Sequence, residues 1–217
     1  TSATVAGTLT FTAGIVSTGA ATLTASGTIA GAGATTGHVN GNLQRPVATS
    51  PLSFAIGGAA VGEYAPLTLT GLSGTGSLTA STSAGAPASI ASSAIDATKK
   101  ANRTWTLTPT GTVSGSYSVA IGYLAAELDA GADSATFVVN RLSGGSWTGG
   151  TSSSTAAATT TTQGFSAGTF GDFGLGSELP ASKLAFYAQP LDTLVTVPLT
   201  PAVVVEVQTS TSLRATF

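Results

Sequence analysis

Hydrophobic residues alternate with threonine and serine along most of the chain, and this two-residue period predicts β-strands. In TLTF at 8–11, Leu9 and Phe11 fall on one face of a strand, whereas Thr8 and Thr10 fall on the other. NRTWTLTP, SYSVAIGYL and ATFVVNRL repeat the alternation. No segment keeps an apolar period of 3.6 residues, so no long amphipathic helix is predicted. The pattern predicts an all-β protein, most simply an antiparallel β-sandwich of the immunoglobulin or jelly-roll kind.

The N-terminal segment contains two similar strand-turn-strand units. TLTF at 8–11 returns as TLTA at 22–25, and GIVSTG at 14–19 is related to GTIAGAG at 27–33. Short strands, glycine turns and a period of about fourteen residues predict either rungs of a β-solenoid or hairpins.

Three regions follow from these patterns. Residues 1–45 are predicted to form the β-repeat segment, residues 46–178 the sandwich, and residues 179–217 a C-terminal extension with one immunoglobulin-like strand. Near the first boundary, Asn40-Gly41 lies between hydrophobic residues and predicts a two-residue hairpin turn.

Charge narrows the possible partners. Charged residues make up 7% of the chain, the net charge is −2 and the pI is near 5.1. Nucleic acids and anionic membranes bind clustered lysine and arginine, so neither is an expected partner. No apolar run approaches the roughly 20 residues of a membrane-spanning helix. The chain lacks methionine and opens on Thr1, as it would after removal of a signal peptide or of one initiator methionine.

Candidate chemistry is sparse. Without cysteine, the chain has no disulfides, thiolate metal sites or cysteine nucleophile. The one histidine, His38, is predicted to lie in a turn or on the surface, with no nucleophile and acid beside it. Glu127, Asp129 and Asp133 form a local carboxylate cluster, which is either a calcium site or a solvated turn. We expect neither an enzyme nor a bound cofactor.

Aromatic and basic residues have ordinary structural interpretations. Trp105, Tyr117 and Tyr123 alternate with apolar residues and are predicted to pack in the core. With Trp147 and Tyr64, they could instead form a sugar-stacking platform. A basic patch in a solvated loop is predicted from three further side chains: Lys99, Lys100 and Arg103.

The C-terminal extension contains a strongly β-prone strand. Val203, Val205 and Val207 fall on one face, and burying each is worth about 1.5–3 kcal/mol. The strand either folds back on its own domain or adds to a neighbouring subunit, head to tail. The residues predicted to contact that subunit are Leu9, Phe11, Ile15, Leu184, Phe186, Val203, Val205 and Val207.

The order of motifs resembles a module of large secreted surface proteins of Bacteroidetes-like bacteria. The resemblance is carried by GTLTFTAGIVSTGAATLTASGTIAGAG, HVNGNLQR, SFAIG…EYAPLTL, NRTWTLTPTG, VAIGYLAAEL, FVVNRLSGGSWT and TQGFSAGTFGDFGLG. The tail SKLAFYAQPLDTLVTVPLTPAVVVEVQ resembles the opening strands of an adhesin immunoglobulin-like repeat, which breaks off after its first strand or two. The resemblance implies a secreted, non-catalytic surface protein.

These observations favour a structural subunit of an extracellular filament or cell-surface assembly, with copies of itself as partner. The alternative is an adhesin module that binds surface glycans or ice. Glycan binding would use exposed aromatic residues, whereas the threonine-rich segments at 8–12 and 22–28 could form the flat hydroxyl rows that ice binding uses.

Overall fold

The computed structural model describes residues 1–48, 51–149, 151–156, 159–166, 169–188 and 204–209. Three short 3₁₀ helices occur in these residues, at Ile90–Ser92, Ala125–Glu127 and Ser134–Thr136. The strands, in chain order, are β1 (Ala3–Val5), β2 (Leu9–Thr10), β3 (Val16–Ala25), β4 (Ile29–Ala30), β5 (Val39–Pro46), β6 (Leu52–Phe54), β7 (Leu67–Thr70), β8 (Ser73–Gly74), β9 (Ser77–Ala84), β10 (Ile95–Lys100), β11 (Arg103–Thr110), β12 (Val113–Ser114), β13 (Ser116–Gly122), β14 (Phe137–Ser143), β15 (Ser146–Gly149), β16 (Thr151–Ala156), β17 (Thr159–Ser166), β18 (Asp172–Glu178), β19 (Ala181–Ala188) and β20 (Val204–Thr209).

The largest sheet has nine strands in the order β1-β3-β5-β9-β11-β18-β14-β15, with β10 also paired to β18. A second sheet has the order β16-β17-β13-β7-β6. Two-stranded sheets are formed by β12 with β8, by β2 with β4, and by β19 with β20. The all-β prediction is confirmed, whereas the immunoglobulin or jelly-roll arrangement stays a prediction.

The N-terminal strands stack in parallel, as rungs of a solenoid do. Ala3 in β1 lies opposite Leu23 in β3, and Leu9 in β2 lies opposite Ile29 in β4. Partners in these rungs are twenty positions apart in the chain, so the predicted period of fourteen is wrong. The repeated TLT segments misled that prediction because they lie in different strands with different partners: the first contains β2, which pairs with β4, and the second is in β3, which pairs with β1 and β5. Of the two arrangements predicted for this segment, the parallel pairing of β1, β3 and β5 agrees with solenoid rungs rather than with hairpins.

Asn40-Gly41 does not form the predicted hairpin turn, because both residues lie inside β5. Gly41 has φ 116°, and a Cβ there would lie 2.2 Å from the Thr18 hydroxyl oxygen. That hydroxyl accepts a hydrogen bond from the Asn42 backbone N–H at 2.8 Å. The register between β3 and β5 shifts at this point, so the glycine accommodates a bulge within parallel pairing.

The parallel rungs and the antiparallel strands share one sheet. β5 pairs with β3 on one side and with β9 on the other, antiparallel, with Leu43 opposite Ala80. The sheet therefore runs across the predicted boundary at residue 45. Beyond the other predicted boundary, at residue 178, the two described strands β19 and β20 form their own two-stranded sheet.

Side chains from both large sheets meet in one hydrophobic core. Leu43 and Trp105 come from the nine-stranded sheet, and Leu67, Val119 and Phe165 come from the five-stranded sheet. The inward positions alternate with hydroxyl-bearing outward positions, as the sequence predicts. Among the described residues, no helix has the length and apolar character needed to cross a membrane.

Candidate functional site

The carboxylate cluster is occupied by ion pairs. Arg103 is 1% exposed at the start of β11, and its Nε donates a hydrogen bond to Glu127 Oε2 at 2.7 Å. Arg103 Nη2 donates to the other oxygen of the same carboxylate. This two-pronged geometry fixes the short helix Ala125–Glu127 against the sheet.

Asp129 is held in the same way. Its carboxylate accepts hydrogen bonds from Lys100 Nζ at 2.8 Å and from Asn102 Nδ2 at 2.7 Å. The Lys100 hydrogen bond is the main cause that lowers the Asp129 pKa, with burial opposing it. A carboxylate with a depressed folded-state pKa stabilises the fold above its ordinary pKa near 4. That contribution is lost as the pH falls through the folded-state pKa.

The third acid of the cluster has a local structural role. Asp133 precedes the helix Ser134–Thr136 and accepts a hydrogen bond from the Ala135 N–H at 3.0 Å. Across the described residues, no group of three metal-ligating side chains could hold an ion. The calcium prediction for Glu127, Asp129 and Asp133 is therefore not supported.

The solvated basic patch is also incorrect. Lys100 lies in β10, Arg103 lies in β11, and each is paired with an acid. Lys99 reaches Asp96 at 3.9 Å. Each of the three cations is therefore paired with an acid, which weakens the electrostatic attraction of this region for an anionic partner.

His38 is buried rather than at a turn or on the surface. It is 0% exposed, and its Nε2 donates a hydrogen bond to the Gly58 carbonyl at 2.9 Å. Its ring centroid lies 6.0 Å from that of Tyr64. Gly57 packs against the ring so closely that a Cβ there would lie 2.6 Å from it. The histidine thus connects β5 to the loop before β7.

The aromatic residues predicted to be in the core are in the core. Trp105, Tyr117 and Tyr123 are 0%, 2% and 4% exposed. Trp147 is half-buried on β15, and its indole N–H donates to the Ser89 carbonyl at 2.9 Å. The burial of the three core residues rules out the alternative, a sugar-stacking platform, for them. The indole N–H of Trp147 already has a partner.

The β-prone C-terminal strand has a partner in its own chain. β20 pairs antiparallel with β19, so that Leu184 lies opposite Val207 and Phe186 opposite Val205. Leu184 is 71% exposed and Val205 is 50% exposed. Val207 is half-buried, and Val203 lies outside the described residues. The pairing satisfies one backbone edge of β20 and leaves apolar side chains in water.

At the N-terminus, the three predicted contact residues differ in exposure. Phe11 is 5% exposed within the chain's own core, so its prediction as a subunit contact is corrected. Leu9 and Ile15 are half-buried. The available surface at this end is instead the outer edge of β1, which pairs with β3 alone among the described strands.

A continuous polar row crosses the outer face of the nine-stranded sheet. The strand registers place its members in line on β1, β3, β5, β9 and β11. Thr24 Oγ1 donates to Gln44 Oε1 at 3.1 Å, and Gln44 Nε2 donates to Thr79 Oγ1 at 3.2 Å. With strands about 4.8 Å apart, the row is about 19 Å long. Its five members are Thr4, Thr24, Gln44, Thr79 and Thr108.

Arg45 was not among the candidate site residues identified from the sequence, although its position in the alternating pattern indicates that it is buried. In NLQRPV, Arg45 occupies the same alternating face as Leu43 and Val47. All three are buried, and Arg45 is 7% exposed. An arginine at a position that alternation assigns to the core is rare enough to mark a candidate site.

Comparison with protein-family models, with curated proteins and with solved structures found no match to this chain.

Proposed function

We propose that this chain is a non-catalytic structural subunit of an extracellular or cell-surface assembly. Copies join head to tail when the β19–β20 hairpin of one adds to the edge of another. The observation that carries the proposal is the exposure of Leu184 and Val205 on a two-stranded sheet.

A two-stranded hairpin is marginally stable in water without a surface to pack on. Covering Leu184 and Val205 would stabilise it by about 1.5–3 kcal/mol for each side chain fully buried. Each described strand of the hairpin also has an outer backbone edge, because β19 and β20 pair only with each other among the described strands. Strand addition satisfies the edge and the apolar face in one contact.

The proposed acceptor is β1 of a second copy. Its outer edge belongs to a nine-stranded sheet and therefore offers an ordered template rather than a flexible segment. Because donor and acceptor are different surfaces of one chain, the contact is heterologous and propagates into a filament unless it closes into a ring. The net charge of −2 opposes such association only weakly.

Replacing Leu184 and Val205 together with aspartate is expected to abolish assembly. Two charges on the donated face cannot be buried without a large desolvation penalty, whereas both side chains are already in water in the isolated chain. Sedimentation velocity and negative-stain electron microscopy of the full chain measure the effect. The matched control is Val61→Asp, at an exposed valine far from the hairpin in the chain (57% exposed), which should assemble like the parent.

Cysteine cross-linking tests the acceptor. The chain has no cysteine, so a Thr4→Cys variant mixed with a Val205→Cys variant can form only three disulfide-linked dimers, one mixed and two symmetric. Rapid oxidation to the mixed dimer is expected, because a disulfide needs Cα atoms within about 7 Å. In the control, a Thr108→Cys variant is mixed with the Val205→Cys variant. Little mixed dimer is expected, because Thr108 lies on β11, inside the sheet and away from the edge of β1. Preferential Val205–Val205 cross-links would contradict head-to-tail addition, and a strictly monomeric parent chain would refute the assembly.

A second candidate function is favoured by the polar row Thr4–Thr24–Gln44–Thr79–Thr108. Regularly spaced, uncharged hydrogen-bonding groups in register across five strands suit a neutral polysaccharide or an ordered water layer. We propose glycan binding as this second candidate.

The double variant Thr24→Val, Thr79→Val is expected to reduce glycan binding at least about tenfold, because it removes both hydroxyls bonded to Gln44 while keeping side-chain shape. Glycan-array binding and titration with the best hit provide the measurement. Thr70→Val, an exposed position on the five-stranded sheet, is the control. Thermal hysteresis without glycan binding would reassign the row to ice, and equal binding by both variants would remove the row from consideration.

A further inference from the structure

We infer that the cavity beside Arg45 is a binding site for a small carboxylate ligand of the size of a sugar acid. The cavity has a volume of about 270 Å³ and is bordered by residues from the N-terminal rungs, from β5 and β6, and from the segment that leads into β7. This volume is just below the usual range of roughly 300–1,000 Å³ for small-molecule sites. It therefore suits a single monosaccharide rather than a chain. The inference does not depend on the proposed assembly.

Arg45 supplies the charge of the site. Its Nη1 donates to the Ser53 carbonyl at 2.9 Å, and its Nη2 donates to the Gly27 carbonyl at 2.7 Å. Nε is buried without a hydrogen-bond partner. A guanidinium has five N–H donors, so these contacts orient the group and leave donors unused.

No acid neutralises this buried cation in the described part of the chain. None of the described residues that line the cavity is acidic, and Arg45 forms none of the described salt bridges. Burial lowers the Arg45 pKa, as expected of a cation removed from water without a counterion. By contrast, the buried Arg103 forms a salt bridge with Glu127. An anion entering beside Arg45 would supply the missing charge.

The remaining lining fits a ring with hydroxyls. Tyr64 and Pro66 contribute flat apolar surfaces, whereas Ser53 and Thr68 contribute hydroxyls 3.1 Å apart. Burial raises the Tyr64 pKa, so its phenol stays protonated and can donate a hydrogen bond. An aromatic face, hydroxyls and one guanidinium together match a pyranose ring that carries a carboxylate.

Calorimetric titration of the full chain with sodium glucuronate, glucose and sodium acetate tests the inference. We expect glucuronate to bind at least about tenfold more tightly than glucose, because glucose lacks the carboxylate that Arg45 recognises. Equal affinity for glucuronate and glucose, or no glucuronate binding at millimolar concentration, would overturn the site. Acetate binding as tightly as glucuronate would overturn the sugar-acid assignment.

Variants locate the binding. Arg45→Gln is expected to weaken glucuronate binding at least about tenfold. Arg45 also donates hydrogen bonds to two backbone carbonyls, so Arg45→Gln could weaken binding by disturbing the fold. Thr68→Trp tests the site without changing Arg45, because it fills the cavity from a half-buried position on β7. Thr148→Ala, at an exposed position on β15 that is not part of the cavity lining, should bind like the parent. Unchanged glucuronate binding by a folded Thr68→Trp variant would place the ligand elsewhere and refute the inference.

Discussion

Replacing Trp105 with alanine is expected to lower the free energy of unfolding by about 4 kcal/mol, a large share of the stability of a typical domain. Trp105 is 0% exposed, and its indole N–H donates to the Ala65 carbonyl at 3.0 Å. It lies on β11 of the nine-stranded sheet, whereas Ala65 precedes β7 of the five-stranded sheet. The substitution removes the largest side chain of the core and leaves a buried carbonyl without its donor.

Urea denaturation followed by circular dichroism measures this loss. Trp147→Ala is the matched control, because Trp147 is half-buried and bonds an exposed segment at Ser89. We expect the control to lose about 1 kcal/mol, as a partly exposed side chain forfeits little burial. Similar losses at the two tryptophans would show that Trp105 is not the link between the sheets.

Glu127→Gln is expected to destabilise the fold by about 3 kcal/mol. Arg103 is 1% exposed, and removing the charge of its partner leaves a buried cation without compensation. Glutamine keeps the side-chain length but can accept through only one oxygen, so the two-pronged contact is lost as well.

The double variant Arg103→Met, Glu127→Leu separates charge from packing. Replacing a buried ion pair with apolar side chains is often nearly neutral, so the double variant should be more stable than Glu127→Gln alone. Thermal denaturation at low and high salt compares the stability of the parent, Glu127→Gln and the double variant. Because Arg103 is buried, the loss in Glu127→Gln should change little with salt. If Glu127→Gln lowered the free energy of unfolding by less than about 1 kcal/mol, water would be solvating the charge of Arg103 after the loss of its partner.

Alternation of apolar and polar residues predicted much of the burial correctly. Trp105, Tyr117 and Tyr123 lie in the core because strand geometry alone decides which face such residues occupy. The same local information misplaced Asn40-Gly41, since parallel pairing with β3 outweighs the preference of that dipeptide for a turn. Local residue preferences predict where strands form, but the register of a strand depends also on the segment with which it pairs.

Functional residues were harder to predict because their partners are distant in the chain. Glu127 resembled a metal ligand until the structure brought Arg103, 24 positions away, against it. The polar row needs four registers to align Thr4 with Thr108. Arg45 alone was open to detection, because its place between Leu43 and Val47 requires no knowledge of tertiary structure.

The parallel pairing of β1, β3 and β5 has a consequence for how such chains can lengthen. Ala3 and Leu23, like Leu9 and Ile29, are partners at the same separation of twenty positions. Duplicating one such unit in the gene would add a layer about 4.8 Å thick, paired in parallel with its neighbours. We therefore expect that adding such units would lengthen the N-terminal end by fixed increments, while the antiparallel strands beyond β5 keep their own pairings.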